Sequence, residues 1–380
     1  MSLTSILKKE SGRTNLKKWF TNTFPNPGLK EKIEIKVNPK QPHHSYAGEI
    51  GTAFDYLFRF NLERINKKTV QSRGSLVAES GLDNIFICQL QNTQNITIGY
   101  YKDRVVNRIE FETYLLTEFE NAKKNYKKFI KDGKLTNDII KSSILLAKLD
   151  VSARTRFIDS NLDKIEKEKI IELEELFNIV PWDKFITKNS CILNPTFGDG
   201  SRLVGGADAD LILDNTLIDI KTNKNLKIER KDLNQIIGYH LLSVIGGIDG
   251  KIKTEIQNIG IYFARFGYLW QMPLTDYCEL KHFTQLANEF TQLVKDRNLE
   301  LIKNERPQRT KLIYPVNEYT IDENDFKCPF CESTSFIKHG KNLTTFRYKC
   351  KSCNSSFTST IDTSASSEEW KKNRHLLDEF

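Results

Sequence analysis

The chain has 380 residues, of which 39% are hydrophobic and 28% are charged. At roughly 150 residues per domain, this length allows two or three domains, and the composition excludes a largely disordered chain. The formal net charge of +8 comes from 57 Lys and Arg against 49 Asp and Glu. Such an excess is compatible with nucleic acid as a partner, but many basic proteins bind none.

Membrane and export signals are missing from the sequence. No stretch approaches the roughly 18 consecutive apolar residues of a membrane span, and the start, MSLTSILKKESGRTNLKKW, lacks the apolar core of a signal peptide. We therefore expect a cytoplasmic protein that does not contact membranes. The absence of a GxxxxGK[ST] loop also means that any ATP-driven motor function would come from a protein partner.

The first half of the chain is predicted to be mainly helical. Residues 1–45 form a basic segment with Pro-rich turns, FPNPG and NPKQPHH. From Gly48, the sequence GEIGTAFDYLFRFNLERI has apolar residues at spacings of three and four, which predicts a helix. Residues 103–180 are charged and helically periodic, and we interpret them as a helical insertion within a main domain at 46–300.

The second half changes from short strands to helices and then to a cysteine-rich module. Gly, Asp, Asn and β-branched residues after about residue 186 predict strands joined by tight turns. A helix at KDLNQIIGYHLLSVIGG, two apolar runs around Phe266-Gly267 and a helix at FTQLANEFTQLVKDRNLELI follow. Beyond these we expect a linker at 301–325, a metal-binding module at 326–357 and a flexible tail at 358–380.

An acidic hairpin is the most informative feature of the second half. Asp214-Asn215 predicts a two-residue turn between ADADLIL and TLIDIK. That turn would pair Leu213 with Thr216, Ile212 with Leu217, Asp210 with Asp219 and Asp208 with Lys221. Since side chains alternate between faces, one face would be polar: Asp208, Asp210, Asp219 and Lys221. The other would be apolar: Leu211, Ile218 and Ile220. Opposed carboxylates repel each other, and a hard divalent cation such as Mg²⁺ would remove that cost. The alternative is a solvent-facing acidic hairpin that Lys221 neutralises.

The helix after the hairpin carries a second polar pair. Gln235 and Tyr239 are four residues apart, so they share a face of an otherwise apolar helix. An amide and a phenol that turn inward need polar partners. On their own, Gln235 and Tyr239 favour an ordinary pair at the boundary between core and surface.

Together, GADADLILDNTLIDIKT and LNQIIGYHLL resemble the core of the PD-(D/E)XK nuclease superfamily, and in particular its RecB-like branch. The resemblance covers roughly 45–65 and 200–295, and it implies an α/β restriction-endonuclease-like core in which a mixed sheet is flanked by helices. It also implies Mg²⁺ or Mn²⁺ bound by two aspartates and one backbone carbonyl, a lysine that assists the hydrolytic water, and a supporting Gln and Tyr. These would be Asp210, Asp219, the Ile220 carbonyl, Lys221, Gln235 and Tyr239.

For two of the expected metal ligands, the sequence offers more than one candidate residue. Asp208 competes with Asp210 for the first carboxylate, because family members often place that Asp three residues after a Gly, as Gly205 is here. The family's Gly-Thr-x-x-His segment appears as Gly51-Thr52-Ala53-Phe54-Asp55, with Asp55 at the His position. Asp can also bind Mg²⁺, and Glu49 from the same helix is a rival ligand.

The C-terminal module carries two CxxC pairs, Cys328/Cys331 and Cys350/Cys353. Four thiolates at this spacing predict a closed tetrahedral Zn²⁺ site with β-hairpin arms, similar to a zinc ribbon. Across 326–357, six Lys and Arg accompany a single acid, and three aromatic residues could stack on bases: Phe336, Phe346 and Tyr348. The expected role of the module is nucleic-acid contact, with structural or protein docking as the alternative.

The sequence therefore predicts a metal-dependent nuclease that acts on nucleic acid, with DNA favoured over RNA, in phage defence or in mobile-element or DNA processing. The alternative is a catalytically inactive binding protein whose zinc ribbon docks on DNA or on a protein partner.

Overall fold

The computed structural model describes residues 2–8, 15–72, 76–87, 95–99, 104–155, 158–249, 255–304, 328, 331–342, 345–353 and 356–360. The chain divides into two compact units, Met1–Arg297 and Asn298–Phe380. Within the described residues, no helix has the length and apolar character needed to cross a membrane.

The first unit is built on a mixed six-stranded sheet with the strand order β1-β4-β5-β6-β7-β8. Its strands are β1 (Thr69–Gln71), β4 (Cys191–Leu193), β5 (Leu211–Leu213), β6 (Thr216–Lys221), β7 (Asn258–Phe263) and β8 (Tyr268–Pro273). The pairs β1/β4 and β6/β7 are parallel, and the other pairs are antiparallel. Two further strands, β2 (Asn95–Ile98) and β3 (Arg104–Asn107), form a separate antiparallel ribbon.

Ten helices accompany these strands within the described residues: α1 (Leu3–Lys8), α2 (Asn15–Thr23), α3 (His44–Ile65), α4 (Val77–Ile87), α5 (Arg108–Asp132), α6 (Asn137–Thr155), α7 (Lys167–Asn178), α8 (Gly198–Leu203), α9 (Arg230–Gly246) and α10 (Phe283–Asn304). The helices predicted from Gly48 onward, at KDLNQIIGYHLLSVIGG and at FTQLANEFTQLVKDRNLELI are confirmed as α3, α9 and α10. The expected α/β class, a mixed sheet flanked by helices, is confirmed as well.

Alternate side chains of the hairpin strands belong to two different hydrophobic clusters, one on each face of the sheet. Leu211 and Ile218 pack into one cluster with α3 and the helices of 108–178. Ile212 and Leu217 pack into the other with α9 and α10. The N-terminal segment belongs to the second cluster, because Phe20 and other apolar residues of α1 and α2 are buried there.

The predicted helical insertion begins with a strand. Residues 104–107, RVVN, pair with β2, and α5 starts only at Arg108. The side chain of Asn107 accepts a hydrogen bond from the Glu110 backbone N–H, which is the usual way to start a helix. Helices α5, α6 and α7 then pack on α3 through one apolar cluster.

The hairpin turn at Asp214-Asn215 and the pairs Leu213/Thr216 and Ile212/Leu217 are confirmed. The predicted pairs beyond them are wrong, because the β5–β6 ladder ends at Leu211/Ile218. Asp210 lies just before β5, and its carboxylate accepts a hydrogen bond from the Ile220 backbone N–H at 2.6 Å. The chain before it bends through Gly205 and Gly206, whose φ angles of 75° and 125° favour glycine.

The second unit contains an antiparallel three-stranded sheet of order β11-β10-β9, formed by β9 (Phe336–Asn342), β10 (Thr345–Cys350) and β11 (Ser356–Thr360). The β-hairpin arm expected between the two CxxC pairs corresponds to β9 and β10. Residues 358–360, assigned to the tail by the sequence, belong to β11. Most of the predicted linker, 305–325, and the tail residues 361–380 lie outside the described residues.

Candidate functional site

Lys221 stands at the centre of a polar cluster at the carboxyl end of β6. Its Nζ lies 2.7 Å from Asp219 Oδ2 and 3.7 Å from Asp232 Oδ1, and it donates a hydrogen bond to Gln235 Oε1 at 3.1 Å. Asp219 and Asp232 are buried, and the Lys221 side chain is 16% exposed. Burial alone would lower the pKa of Lys221, but the charges of Asp219 and Asp210 outweigh it and raise that pKa. Lys221 is therefore held as an ammonium ion.

Helix α9 extends this cluster by one turn. Gln235 Nε2 donates to the Tyr239 hydroxyl at 2.9 Å, so the sequence-predicted pair is joined directly on one helix face. Tyr239 is buried, and burial followed by the charge of Asp219 raises its pKa. A continuous chain of polar contacts thus runs from Asp219 through Lys221 and Gln235 to Tyr239.

Three aspartates from different elements approach each other beside this chain. The pKa of Asp210 is raised well above its usual value by burial and then by the charges of Asp219 and Asp55. Asp55 comes from α3, and its Oδ2 accepts a hydrogen bond from Arg59 Nη2 at 2.6 Å. Its Oδ1 is buried and accepts no hydrogen bond from the described residues. This oxygen needs a partner, and a cation is one candidate.

The structure distinguishes the rival ligands by location. Glu49 pairs with Lys169, Oε2 to Nζ, at 2.9 Å and with Lys148 at 3.9 Å, so it is engaged with α6 and α7. Asp55, in contrast, is one of the charges that act on Asp210. Asp208 makes an isolated β-bridge to Thr196 and lies near enough for its charge to act on Tyr239.

The ligand atoms of the aspartates are not as close to one another as those of the four cysteines. Within the described residues, the four cysteines are the one group of three or more His, Cys, Asp or Glu whose ligand atoms all lie within 4.8 Å of one another. The chemistry of the aspartate set nevertheless fits a hard cation, because carboxylate oxygens are the ligands Mg²⁺ takes. Asp55 and Asp219 are at present paired with Arg59 and Lys221.

The four cysteines are arranged for a tetrahedral metal such as zinc. Cys328 Sγ lies 3.6 Å from Cys353 Sγ, and Cys331 Sγ lies 3.6 Å from Cys350 Sγ. A tetrahedron with Zn–S bonds of about 2.3 Å has edges of about 3.8 Å, which is close to these separations. Backbone N–H groups of Cys353 and Ser352 lower the pKa of Cys350 to about 6. The backbone contact with Ser333 would lower the pKa of Cys331, but burial and the hydrogen bonds with the other three cysteines raise it to about 12.

Of the three aromatic residues expected to stack on bases, Tyr348 is the one whose side chain is described. Tyr348 is half-buried and packs against the Cys328/Cys350 pair. The side chains of Phe336 and Phe346 lie outside the described residues.

Sequence reasoning missed several charged residues at the site. Asp232 lies three positions before Gln235, so helical periodicity places the two on one face of α9, where both contact Lys221. Asp150 and Arg154 come from α6, far away in sequence, and only the packing of α6 on α3 brings them near Asp55. Nothing in the local sequence pattern signals that contact.

Comparison of the chain with protein-family models, with curated proteins and with solved structures gave no match.

Proposed function

We propose that the chain is a metal-dependent nuclease with a PD-(D/E)XK core, a helical insertion and a C-terminal zinc ribbon. The observation that supports this most is the convergence of Asp55, Asp210 and Asp219 beside the contact chain formed by Lys221, Gln235 and Tyr239. A carboxylate whose pKa is raised by burial and by neighbouring carboxylates, as that of Asp210 is, costs stability at neutral pH, and the binding of a cation offsets that cost.

The division of labour follows from the contacts. Asp210 and Asp219, with Asp55 and the Ile220 carbonyl, would hold Mg²⁺ or Mn²⁺. When bound, the metal supplies a water of lowered pKa and neutralises charge on the scissile phosphate. Lys221 is an ammonium ion with a raised pKa, so its role is to stabilise negative charge developing on the phosphate rather than to accept a proton.

Gln235 and Tyr239 act as positioning residues. The Gln235 carbonyl accepts from Lys221 and its amide donates to Tyr239, so the two contacts fix the orientation of the amide. The contact with Gln235 thereby helps to hold the Lys221 ammonium group beside Asp219. DNA is the preferred substrate because the superfamily resemblance points to it.

A second candidate is a catalytically inactive protein that binds nucleic acid through the ribbon. The observation in its favour is that Asp55 and Asp219 are tied to Arg59 and Lys221, so that three carboxylate ligand atoms are not gathered around one point. Under either reading, phage defence or mobile-element and DNA processing are the proposed settings, with a possible protein partner that supplies activation or an ATP-driven motor.

The deciding experiment compares cleavage of linear duplex DNA, plasmid, single-stranded DNA and RNA in Mg²⁺ or Mn²⁺ by the parent protein and by Lys221→Ala. We expect cleavage by the parent and a rate lower by about 10²–10³-fold in the variant, the usual loss when one stabilising group is removed. Lys224→Ala, at an exposed lysine three residues later, is the matched control and should cleave normally. Cleavage by Lys221→Ala at the parental rate would refute the assignment.

A further inference from the structure

Arg154 is an exposed cation that the helical insertion places beside the aspartates. It lies in the last turn of α6, and its side chain is 65% exposed. Its Nε and Nη2 donate to the two carboxylate oxygens of Asp150 at 3.0 and 3.2 Å. Asp150 is 3% exposed, so a buried carboxylate fixes the plane of an exposed guanidinium.

The packing of α6 on α3 directs this pair toward the site. Besides that of Asp150, the charges of Asp208 and Asp55 act on Arg154, and the charge of Asp150 acts on Asp55 in turn. Arg59, the other arginine near Asp55, is 7% exposed and stacks on the Tyr56 ring at 4.8 Å. Arg59 is thus committed to the core, whereas Arg154 faces solvent.

A polyanion that approaches this site meets mostly negative charge. Lys221 lies deep in the cluster and is already paired with Asp219. Asp150 uses two of the five N–H donors of Arg154, which leaves donors for a further acceptor. A guanidinium fork with free donors is the side chain best suited to a phosphate.

The geometry points to Arg154 as a phosphate-contacting residue that the insertion contributes to substrate binding. It would contact a backbone phosphate that flanks the cleaved bond, oriented by Asp150. This assignment rests on the proposed function for its choice of substrate. It gives the helices of 108–155 a role in the site, since Arg154 is an exposed cation whose charge acts on Asp55.

The test measures affinity of the full chain for a short fluorescent DNA duplex in Ca²⁺, over a range of NaCl concentrations. Each phosphate contact contributes about 0.9 to the slope of log K against log salt on duplex DNA. We expect Arg154→Gln to weaken binding and to reduce this slope by about that amount. Arg154→Lys, which keeps the charge but not the fork, should keep the slope while binding less tightly.

Arg104→Gln is the matched control, because Arg104 also binds an aspartate, Asp163, through two hydrogen bonds of 2.6 Å. For Arg104→Gln, the slope of log K against log salt should equal that of the parent protein. An Arg154→Gln slope equal to the parental one, or no duplex binding by the parent at low salt, would overturn the assignment. Parental binding that depends on Arg154 but is followed by no cleavage in Mg²⁺ or Mn²⁺ would instead refute the nuclease proposal and leave the phosphate contact standing.

Discussion

Asp210 is a residue of the site whose ionised side chain lowers the stability of the folded protein. Its pKa is raised by burial and by the charges of Asp219 and Asp55. A carboxyl whose pKa is higher in the folded than in the unfolded chain binds protons more tightly when folded. Its contribution to stability is therefore full below the ordinary aspartate pKa and is lost as the pH rises through the raised value.

Asp210→Asn should consequently stabilise the metal-free protein at neutral pH. The amide oxygen can still accept the hydrogen bond from the Ile220 N–H, while the repulsion with Asp219 and Asp55 disappears. We expect a gain of about 0.5–2 kcal/mol, typical of a single favourable substitution. Thermal unfolding at pH 7 and at pH 4 would measure it, and the gain should shrink at the lower pH, where the parent carboxyl becomes protonated.

Asp214→Asn provides a control with the opposite sign. Burial would raise the pKa of Asp214, but the backbone N–H groups of Ser190, Asn189 and Lys188 outweigh it and lower that pKa. Its stabilisation is present above the ordinary aspartate pKa and is lost as the pH falls through the lowered value. Asn tolerates the same left-handed turn conformation, so the variant should be less stable than the parent at pH 7. If both variants changed stability in the same direction, the argument for Asp210 would fail.

At the scale of elements, a buried ion pair connects the helical insertion to the end of β6. Arg265, which follows β7, donates to Glu172 Oε1 of α7 at 2.6 Å and to the Thr222 carbonyl at 2.7 Å. Both charged side chains are at most 1% exposed. Glu172 also accepts hydrogen bonds from the Tyr46 hydroxyl and the Lys40 backbone N–H. Thr222 follows Lys221 directly, so this network holds the strand end that presents the lysine.

Arg265→Met should destabilise the first unit by about 3–5 kcal/mol, because it leaves the Glu172 carboxylate buried without its cation. Urea unfolding followed by circular dichroism would measure the change. Arg202→Met, which removes an exposed arginine paired with Asp199, should leave the midpoint unchanged. A similarly small effect at Arg265 would mean that the pair contributes no more than a surface contact.

The hairpin illustrates what local patterning can predict. The alternation of apolar residues, with a turn signal at Asp214-Asn215, was enough for the register near the turn. It could not predict that the ladder ends at Leu211, since that depends on the Asp210 carboxylate and its bond to the Ile220 N–H. The positions of Gln235 and Tyr239 on one helix face likewise follow from helical periodicity.

Contacts between distant segments account for most of what the sequence did not predict. Arg154 and Asp150 reach the site only because α6 packs on α3, and Glu172 reaches Arg265 only through α7. None of these residues stands in a recognisable motif. Glu172 and Arg265 are 93 positions apart, and Asp150 and Arg154 lie on a different helix from Asp55, so local periodicity carries no information about these contacts.

At the scale of the whole molecule, the chain combines two units whose folded structures are stabilised in different ways. Residues Met1–Arg297 enclose two large hydrophobic clusters. In Asn298–Phe380, the buried apolar contacts of the described residues centre on Cys328 and Cys350, with Tyr348 packed against them. A unit with so small a core requires a metal or disulfides to fold. The spacing of the four sulfur atoms favours a metal.

Cys350→Ser should therefore abolish zinc binding and unfold the second unit, while the thermal transition of the first unit stays at the parental temperature. The remaining three thiols cannot complete a closed tetrahedral site, and the folding of such small units is coupled to the metal. Zinc content per chain, measured by atomic spectroscopy after dialysis, would check this, together with a calorimetric scan. Cys278→Ser, at a cysteine outside the cluster, should retain the full zinc content. If Cys350→Ser retained as much zinc as that control, a metal site built from all four clustered cysteines would be ruled out.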